Sequence, residues 1–133
     1  MPRHKTRVQT RWKDYDSFGH VNNAVFVTYL EVARTELLYE LLGKERLTWE
    51  DVKFIIARVE VDYLMPIQPT RYVEVETWVS KIGQTSFEFS YALSAGETLL
   101  AKAKTVLVYF NYRLQKKMSI DDYFREQLLK WTD

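Results

Sequence analysis

Two hydrophobic periods divide the chain and limit what it can fold into. Near the start, apolar residues recur every three or four positions from Ala24 to Leu41, which predicts an amphipathic helix of about five turns. Gly43 is a stop signal for that helix, and Asn22 or Asn23 can cap its start. Most of the remaining sequence shows the two-residue period of strands. The sequence therefore predicts one long helix among strands.

Five strands are predicted, one before the helix and four after it. The first strand ends near Asp14, and turn residues between the last three predict an antiparallel meander. The stretch through Trp49 and Lys53 shows no clear period. A short closing helix is predicted over 121–131, with Ser119 as its N-cap. The predicted strands span residues 5–14, 55–64, 72–79, 87–93 and 101–109.

This order of elements predicts an α+β protein in two layers. A helix of five turns can cover one face of a five-stranded antiparallel sheet, so we expect the sheet to wrap around one long central helix. The 133 residues match the size of one domain, which we expect to span residues 1–133. With 47% hydrophobic residues, the chain has enough apolar surface to fold rather than stay disordered.

Composition argues against several classes of function. Nineteen basic residues nearly balance eighteen acidic ones, so a nucleic acid is not expected as a partner. There is no cysteine, which rules out disulfides, thiolate nucleophiles and Cys-ligated zinc and fits a cytoplasmic location. No apolar run approaches the ~20 residues of a membrane span. The four glycines are too dispersed for a phosphate-binding loop, and two dispersed histidines predict no metal site.

A cluster of polar side chains lies between the first strand and the helix. It contains Asp14, Asp16, His20, Asn22 and Asn23. The first turn of a helix presents unpaired backbone N–H groups and the positive end of the helix dipole, which can stabilise an oxyanion. A carboxylate beside it can act as a nucleophile or as a base for water. The cluster therefore fits acyl transfer.

The same residues have structural explanations too. Asp14 or Asp16 can form an Asx turn, and Asn22 or Asn23 can serve only as the N-cap. His20 alone is more often a hydrogen-bonding residue than a catalyst. From the residues alone, these alternatives stay open.

The segment Asp16-Ser-Phe-Gly-His-Val-Asn-Asn-Ala-Val-Phe26 resembles a specific motif of known enzymes. It is similar to the Asp-x-x-x-His-Val-Asn-Asn-x-x-Tyr motif of long-chain acyl-CoA thioesterases and plant acyl-ACP thioesterases. The segment Asp14 to Gly19 also resembles that of 4-hydroxybenzoyl-CoA thioesterases. The likeness continues over nearly the whole chain, as in Ala57-Arg-Val-Glu-Val-Asp-Tyr-Leu-Met-Pro66. The resemblance implies the hotdog fold and hydrolysis of an acyl thioester.

The resemblance also implies roles for single residues. Asp16 matches the catalytic carboxylate, as nucleophile or general base, and His20 matches the histidine of the same motif. Phe26 stands where many relatives have Tyr, and Gly19 where some have Asn or Gln. Asn23 falls where the family uses a backbone N–H at the helix start to polarise the carbonyl. The substrate-binding residues implied in this way are Gly19, Val21, Asn22, Asn23 and Phe26.

The resemblance further implies the partners of the protein. The substrate is expected to be a thioester of coenzyme A or of acyl carrier protein, with no other cofactor and no metal. Family members usually assemble as a homodimer or homotetramer, with the site between subunits. Basic residues are expected to meet the phosphates of coenzyme A, with candidates Arg58, Lys81, Lys102, Lys104, Arg113 and Lys116. Two alternatives stand beside the enzyme: a non-catalytic hotdog protein that binds acyl thioesters, and a dehydratase of the same fold.

Overall fold

An antiparallel sheet dominates the computed structural model, which describes residues 2–43 and 54–133. The strands pair in the order β1, β3, β4, β5, β2, and the two-residue strand β6 pairs with the end of β5. β3, β4 and β5 form the predicted antiparallel meander. The strands are β1 His4–Gln9, β2 Phe54–Tyr63, β3 Tyr72–Ile82, β4 Ser86–Ala95, β5 Thr98–Asn111 and β6 Lys116–Lys117. The α+β class is confirmed, but the prediction of five strands missed β6.

The long helix α1, Asn23–Leu42, matches the predicted segment. Asn22 caps its start, because its side-chain Oδ1 accepts a hydrogen bond from the backbone N–H of Ala24 at 2.8 Å. Gly43 ends it with a φ of 83°, a conformation that favours glycine. One face is buried in the same hydrophobic core as the sheet, through Phe26, Tyr29, Leu30, Ala33, Leu37, Leu38 and Leu41. That the sheet wraps around this helix stays a prediction.

The first strand is shorter than predicted. β1 ends at Gln9, and the chain then forms a short 3-10 turn over Trp12–Asp14. The reason is local, since the Asp14 carboxylate accepts a hydrogen bond from the backbone N–H of Arg11 at 2.9 Å and stabilises the turn. The alternation of residue types continues past Gln9, but Trp12 is 92% exposed and does not join the core.

The closing helix begins with a different cap from the predicted one. α2 spans Asp122–Leu129, and Asp121 is its N-cap, with Oδ1 accepting a hydrogen bond from the backbone N–H of Phe124 at 2.7 Å. Ser119 lies outside the helix, where its hydroxyl contacts the side-chain amide of Gln84. Asp121 is the stronger cap because its negative charge also interacts favourably with the positive end of the helix dipole. The stretch through Trp49 and Lys53 lies outside the described residues.

β2 forms one end of the described sheet and pairs with β5. Most of its residues are exposed, including the apolar side chains of Ile56 and Val59, each 42% exposed. An edge strand with exposed apolar side chains is a surface that proteins usually cover. Within residues 2–43 and 54–133, no helix has both the length and the apolar character needed to cross a membrane.

Candidate active site

A tight turn brings the two predicted catalytic residues together. Tyr15 and Val21 form an antiparallel bridge, and between them the backbone N–H of Asp16 donates to the carbonyl of His20 at 2.9 Å. The N–H of Gly19 donates in turn to the carbonyl of Asp16 at 3.0 Å. Gly19 has a φ of 80°, which a side chain would disfavour. The turn therefore needs glycine at this position, and it places the backbones of Asp16 and His20 side by side.

One of the two carboxylate oxygens of Asp16 takes part in the turn. Its Oδ1 accepts a hydrogen bond from the backbone N–H of Phe18 at 2.9 Å, which is the Asx turn considered as the structural alternative. No described residue donates to Oδ2, and the His20 ring makes no hydrogen bond with the described part of the chain. Asp16 is exposed and His20 half-buried. One carboxylate oxygen and one imidazole are thus available at the same turn.

The start of α1 lies beside this turn. The N–H of Ala24 donates to Oδ1 of Asn22, and the N–H of Val25 donates to the Asn22 carbonyl at 2.9 Å. For the N–H of Asn23, the described residues provide no acceptor. No acidic side chain occupies the first turn of α1, so the positive end of the helix dipole is not neutralised there. The free N–H of Asn23 is therefore a hydrogen-bond donor for an incoming oxygen.

A cavity of about 450 Å³ connects the turn and the helix start. Five of the seven predicted site residues line it, whereas Gly19 shapes the turn and Asn22 caps the helix without lining it. Most of the other lining residues are apolar, which suits an acyl group. The residues that line the cavity are Asp16, Phe18, His20, Val21, Asn23, Phe26, Tyr63, Leu64, Met65 and Pro66.

The end of β2 forms a wall that sequence reasoning did not assign to the site. Tyr63 donates a hydrogen bond from its hydroxyl to the carbonyl of Asn23 at 3.0 Å, and its ring meets that of Phe26 edge-on at 4.9 Å between centroids. The sequence of segment 63–66 resembles the family but predicts only the end of a strand. Forty residues separate Tyr63 from Asn23, so no local period could have placed the two segments together.

Asp14 belongs to the predicted polar cluster but points away from the cavity into the protein. It is 1% exposed, and its Oδ2 accepts hydrogen bonds from the Tyr29 hydroxyl at 2.7 Å and from the backbone N–H of Arg11. Burial by itself raises the pKa of Asp14, but the hydrogen bonds from Tyr29 and Arg11 and the Arg11 charge outweigh it and hold that pKa below its usual value. Asp14 is thus a buried, ionised carboxylate.

The described residues contain no cluster of three or more His, Asp or Glu side chains arranged to hold a metal ion. His4, the other histidine, lies on β1, where its ring meets that of Trp131 edge-on at 5.4 Å. His20 and Asp16 alone would supply two ligands, fewer than the three protein ligands of a catalytic zinc site.

Comparison with known proteins places the chain in a family. Its sequence matches the thioesterase-like superfamily over residues 10–128. Acyl-CoA thioester hydrolase YbgC of Escherichia coli O6:H1 is 30% identical over 103 residues, which cover 76% of this chain and 77% of that protein.

Two solved structures are similar over almost the whole chain. One is a predicted thioesterase from Bacillus stearothermophilus, 27% identical, with a TM-score of 0.92 over 98% of this chain and 97% of that one. The other is a thioesterase from Thermus thermophilus complexed with coenzyme A and Zn, 32% identical, with a TM-score of 0.80 over 96% of this chain and 92% of that one. These likenesses confirm the resemblance found in the sequence, and the chain belongs to the thioesterase-like superfamily.

Proposed function

We propose that this protein hydrolyses acyl-CoA thioesters to a free carboxylic acid and coenzyme A, with Asp16 as the central catalytic residue. Membership of the thioesterase-like superfamily supports a thioester hydrolase. The name of the YbgC relative and the coenzyme A in the Thermus thermophilus structure support an acyl-CoA substrate. Hydrolysis of acyl carrier protein thioesters belongs to the same proposal, since the acyl group and the thioester are the same.

One observation carries the proposal. The free oxygen of Asp16 and the free N–H of Asn23 belong to residues that line the same cavity, from the two sides of the turn. A thioester carbonyl that accepts the Asn23 N–H becomes more electrophilic, and the charge that develops on its oxygen meets the positive end of α1. The carboxylate then supplies either a nucleophile or a base for water.

Two reaction routes fit this geometry. As a general base, Asp16 takes a proton from water while the hydroxide adds to the carbonyl carbon; the tetrahedral oxyanion then collapses, breaks the C–S bond and releases the thiolate. As a nucleophile, Asp16 itself adds to the carbonyl carbon, and the mixed anhydride formed as the thiolate leaves is hydrolysed by water. In each route the thiolate takes up a proton, and His20, which lines the same cavity, is the proposed group to donate or relay it.

The walls of the cavity support an acyl group as the bound part of the substrate. Phe18, Phe26, Tyr63, Leu64 and Met65 present apolar surface around the two polar groups. Phe18 is 83% exposed and Met65 51% exposed in a single subunit, so this surface is only partly covered by the chain itself. Burying it against an acyl chain and a second protein surface would be favourable.

A second copy of the chain is the proposed cover. β2 forms one of the two ends of the described sheet, and its last residue, Tyr63, belongs to the wall of the cavity. Pairing of two β2 edges would extend the sheet across a dimer and place the partner beside the site. We therefore expect a homodimer, or a homotetramer built from it, with the site at the interface. A cytoplasmic location fits an acyl-CoA substrate and the absence of cysteine from the sequence.

A screen of acyl-CoA thioesters tests the proposal most simply. Release of the free thiol is followed for acetyl, medium-chain, long-chain and benzoyl thioesters, with the oxygen ester of the best acyl group as a control for general esterase activity. Turnover of at least one thioester, at a rate far above its spontaneous hydrolysis, is the expected result. Tight binding of acyl-CoA without turnover would instead support the non-catalytic acyl-binding alternative.

A further inference from the structure

We propose that Asp14 is a positioning residue, clamped by Tyr29 and Arg11, that fixes the start of α1 relative to Asp16. Within the described part of the chain, its carboxylate bonds to Tyr29 and Arg11, neither of which lines the cavity, so its effect on the reaction runs through the backbone. The inference rests on the proposed function for its kinetic consequence. Its structural consequence, the order of the turn, can be measured without any substrate.

The Asp14 carboxylate is saturated with donors from two elements. Oδ2 accepts from the Tyr29 hydroxyl at 2.7 Å and from the Arg11 N–H at 2.9 Å. Oδ1 accepts from Nε of Arg11 at 3.0 Å and lies 2.9 Å from its Nη2. A carboxylate that is 1% exposed is costly without such partners, and removing one partner leaves a buried charge undercompensated. The local structure is therefore held together around this one group.

The backbone of Asp14 continues the connection to the reacting groups. Its carbonyl accepts a hydrogen bond from the N–H of Asn22 at 3.1 Å. Asn22 caps α1, and its neighbour Asn23 carries the N–H proposed to polarise the carbonyl. Asp14 thus joins both ends of the turn that holds Asp16, while Tyr29 attaches it to the second turn of α1.

This arrangement explains why the turn needs Asp14 in addition to its own hydrogen bonds. The bonds inside the turn fix Asp16 to His20 and Gly19, and within α1 Asn22 bonds only to the first turn, through the N–H groups of Ala24 and Val25. Links from the turn to the surrounding structure include the bond from Asn22 to the Asp14 carbonyl, the bond from Val21 to the Ile67 carbonyl at 3.2 Å, and the bond between neighbouring Tyr15 and Thr70. Of these links, the one to Asp14 leads through its carboxylate to Tyr29, in the second turn of α1. Losing the Tyr29 bond therefore loosens the position of the Asn23 N–H relative to the Asp16 carboxylate.

The chain contains a matched control for this interaction. Tyr109 donates a hydrogen bond to Oδ2 of Asp121 at 3.0 Å, and it is 7% exposed. This hydrogen bond is of the same kind as the one from Tyr29 to Asp14, but it lies at the start of α2 and neither of its residues lines the cavity. Tyr29→Phe and Tyr109→Phe therefore remove the same chemical bond from two places. Both variants are expected to fold and to melt several degrees below the parent protein.

The experiment compares kcat, KM and amide hydrogen exchange in the parent protein and both variants. We expect Tyr29→Phe to lower kcat by about tenfold to a hundredfold, with KM changed by less than about twofold, since misplacement of reacting groups by a fraction of an ångström costs rate more than binding. The amide of Asn22 should exchange faster in this variant. Tyr109→Phe should retain the parent kcat and instead speed exchange at Phe124, whose N–H is bonded to Asp121.

Other results would contradict either the positioning role of Asp14 or the proposed function. If kcat is the same in Tyr29→Phe and Tyr109→Phe, either unchanged in both or lowered in both, Asp14 contributes only to general stability and the positioning role is overturned. A rise in KM at unchanged kcat would overturn that role too. If the parent protein hydrolyses no thioester, the proposed function fails, and exchange at Asn22 then decides alone: faster exchange in Tyr29→Phe supports the clamp, and unchanged exchange overturns it.

Discussion

The Tyr29 hydroxyl lies 2.7 Å from Oδ2 of Asp14, and this hydrogen bond joins α1 to the chain that leads into the active-site turn. Burial and this bond raise the pKa of Tyr29, so the hydroxyl stays protonated and acts as the donor. The bond also makes folding sensitive to acid, because it favours the ionised form of Asp14.

Acid should therefore remove the contribution of Asp14 to stability. The pKa of Asp14 in the folded protein is below its usual value of about 3.9, so the contribution is fully present above about pH 4 and declines as pH falls through the lower folded value. We expect Asp14→Asn to destabilise the protein by about 2–4 kcal/mol at neutral pH and by progressively less below pH ~4. Urea unfolding between about pH 2.5 and 7 measures this difference.

The control for that measurement is Asp122→Asn. Asp122 is exposed in the first turn of α2, where the helix dipole favours its charge by less than about 1 kcal/mol. A constant difference between the parent and Asp14→Asn over the whole pH range would contradict the ionised, hydrogen-bonded state of Asp14.

Chelation is expected to leave hydrolysis unchanged. The described residues offer no group of three metal ligands, and the proposed chemistry needs only the carboxylate and the helix start. Dialysis against EDTA followed by assay of the best acyl-CoA substrate tests this. Activity that disappears on chelation and returns with Zn²⁺, the ion present in the Thermus thermophilus relative, would show that a metal takes part.

Recognition of coenzyme A is expected to depend on salt. Arg58 on β2 is exposed and pairs with Glu60, which is also exposed, at 3.2 Å, so it can exchange that partner for a phosphate. Contacts of this kind are screened, and KM for acyl-CoA should rise with ionic strength more than kcat falls. A thioester of the same acyl group on N-acetylcysteamine, which has no phosphate, should show no such rise. If KM rises with salt equally for both substrates, contacts with the phosphates do not contribute to recognition.

A charge on the edge of β2 should break the proposed dimer. Val59 is 42% exposed on that strand, and Val59→Lys would place like charges near one another if two β2 edges pair. Sedimentation should show the parent at about two or four times 15.9 kDa and the variant at lower mass, with lower activity. Leu129→Lys, at an exposed position of α2, is the control. A parent protein that sediments as a fully active monomer would contradict the shared site.

The secondary structure was largely predictable because its signals are local. The three- and four-residue spacing before Gly43 predicted α1 almost to the residue, and alternation placed the strands. The errors arose where a side-chain hydrogen bond sets the end of an element at a position that the residue pattern does not indicate. Asp14 stabilises a turn that ends β1 early, and Asp121, not Ser119, caps α2. The two residues of β6 have too few positions to show any period.

The candidate site was predictable on one side and not on the other. Asp16, His20 and Asn23 lie within eight positions of sequence, so the motif revealed them together. Tyr63 and its neighbours reach the cavity through the pairing of β2 with β5, which depends on tertiary structure. Tyr29 fitted the apolar face of α1 and gave no sign of its polar role, because the hydroxyl matters only once the helix is packed against Asp14.

The most direct test of the central claim is the turnover of the best acyl-CoA thioester by Asp16→Asn. Asparagine keeps the shape of the side chain and its hydrogen bond to the Phe18 N–H, but it removes the charge needed by a nucleophile or base. We predict that kcat falls by at least about a hundredfold, with an unchanged fold and the same oligomeric state, while Asp122→Asn retains the parent rate. An Asp16→Asn protein that hydrolyses the thioester at close to the parent rate would contradict the account.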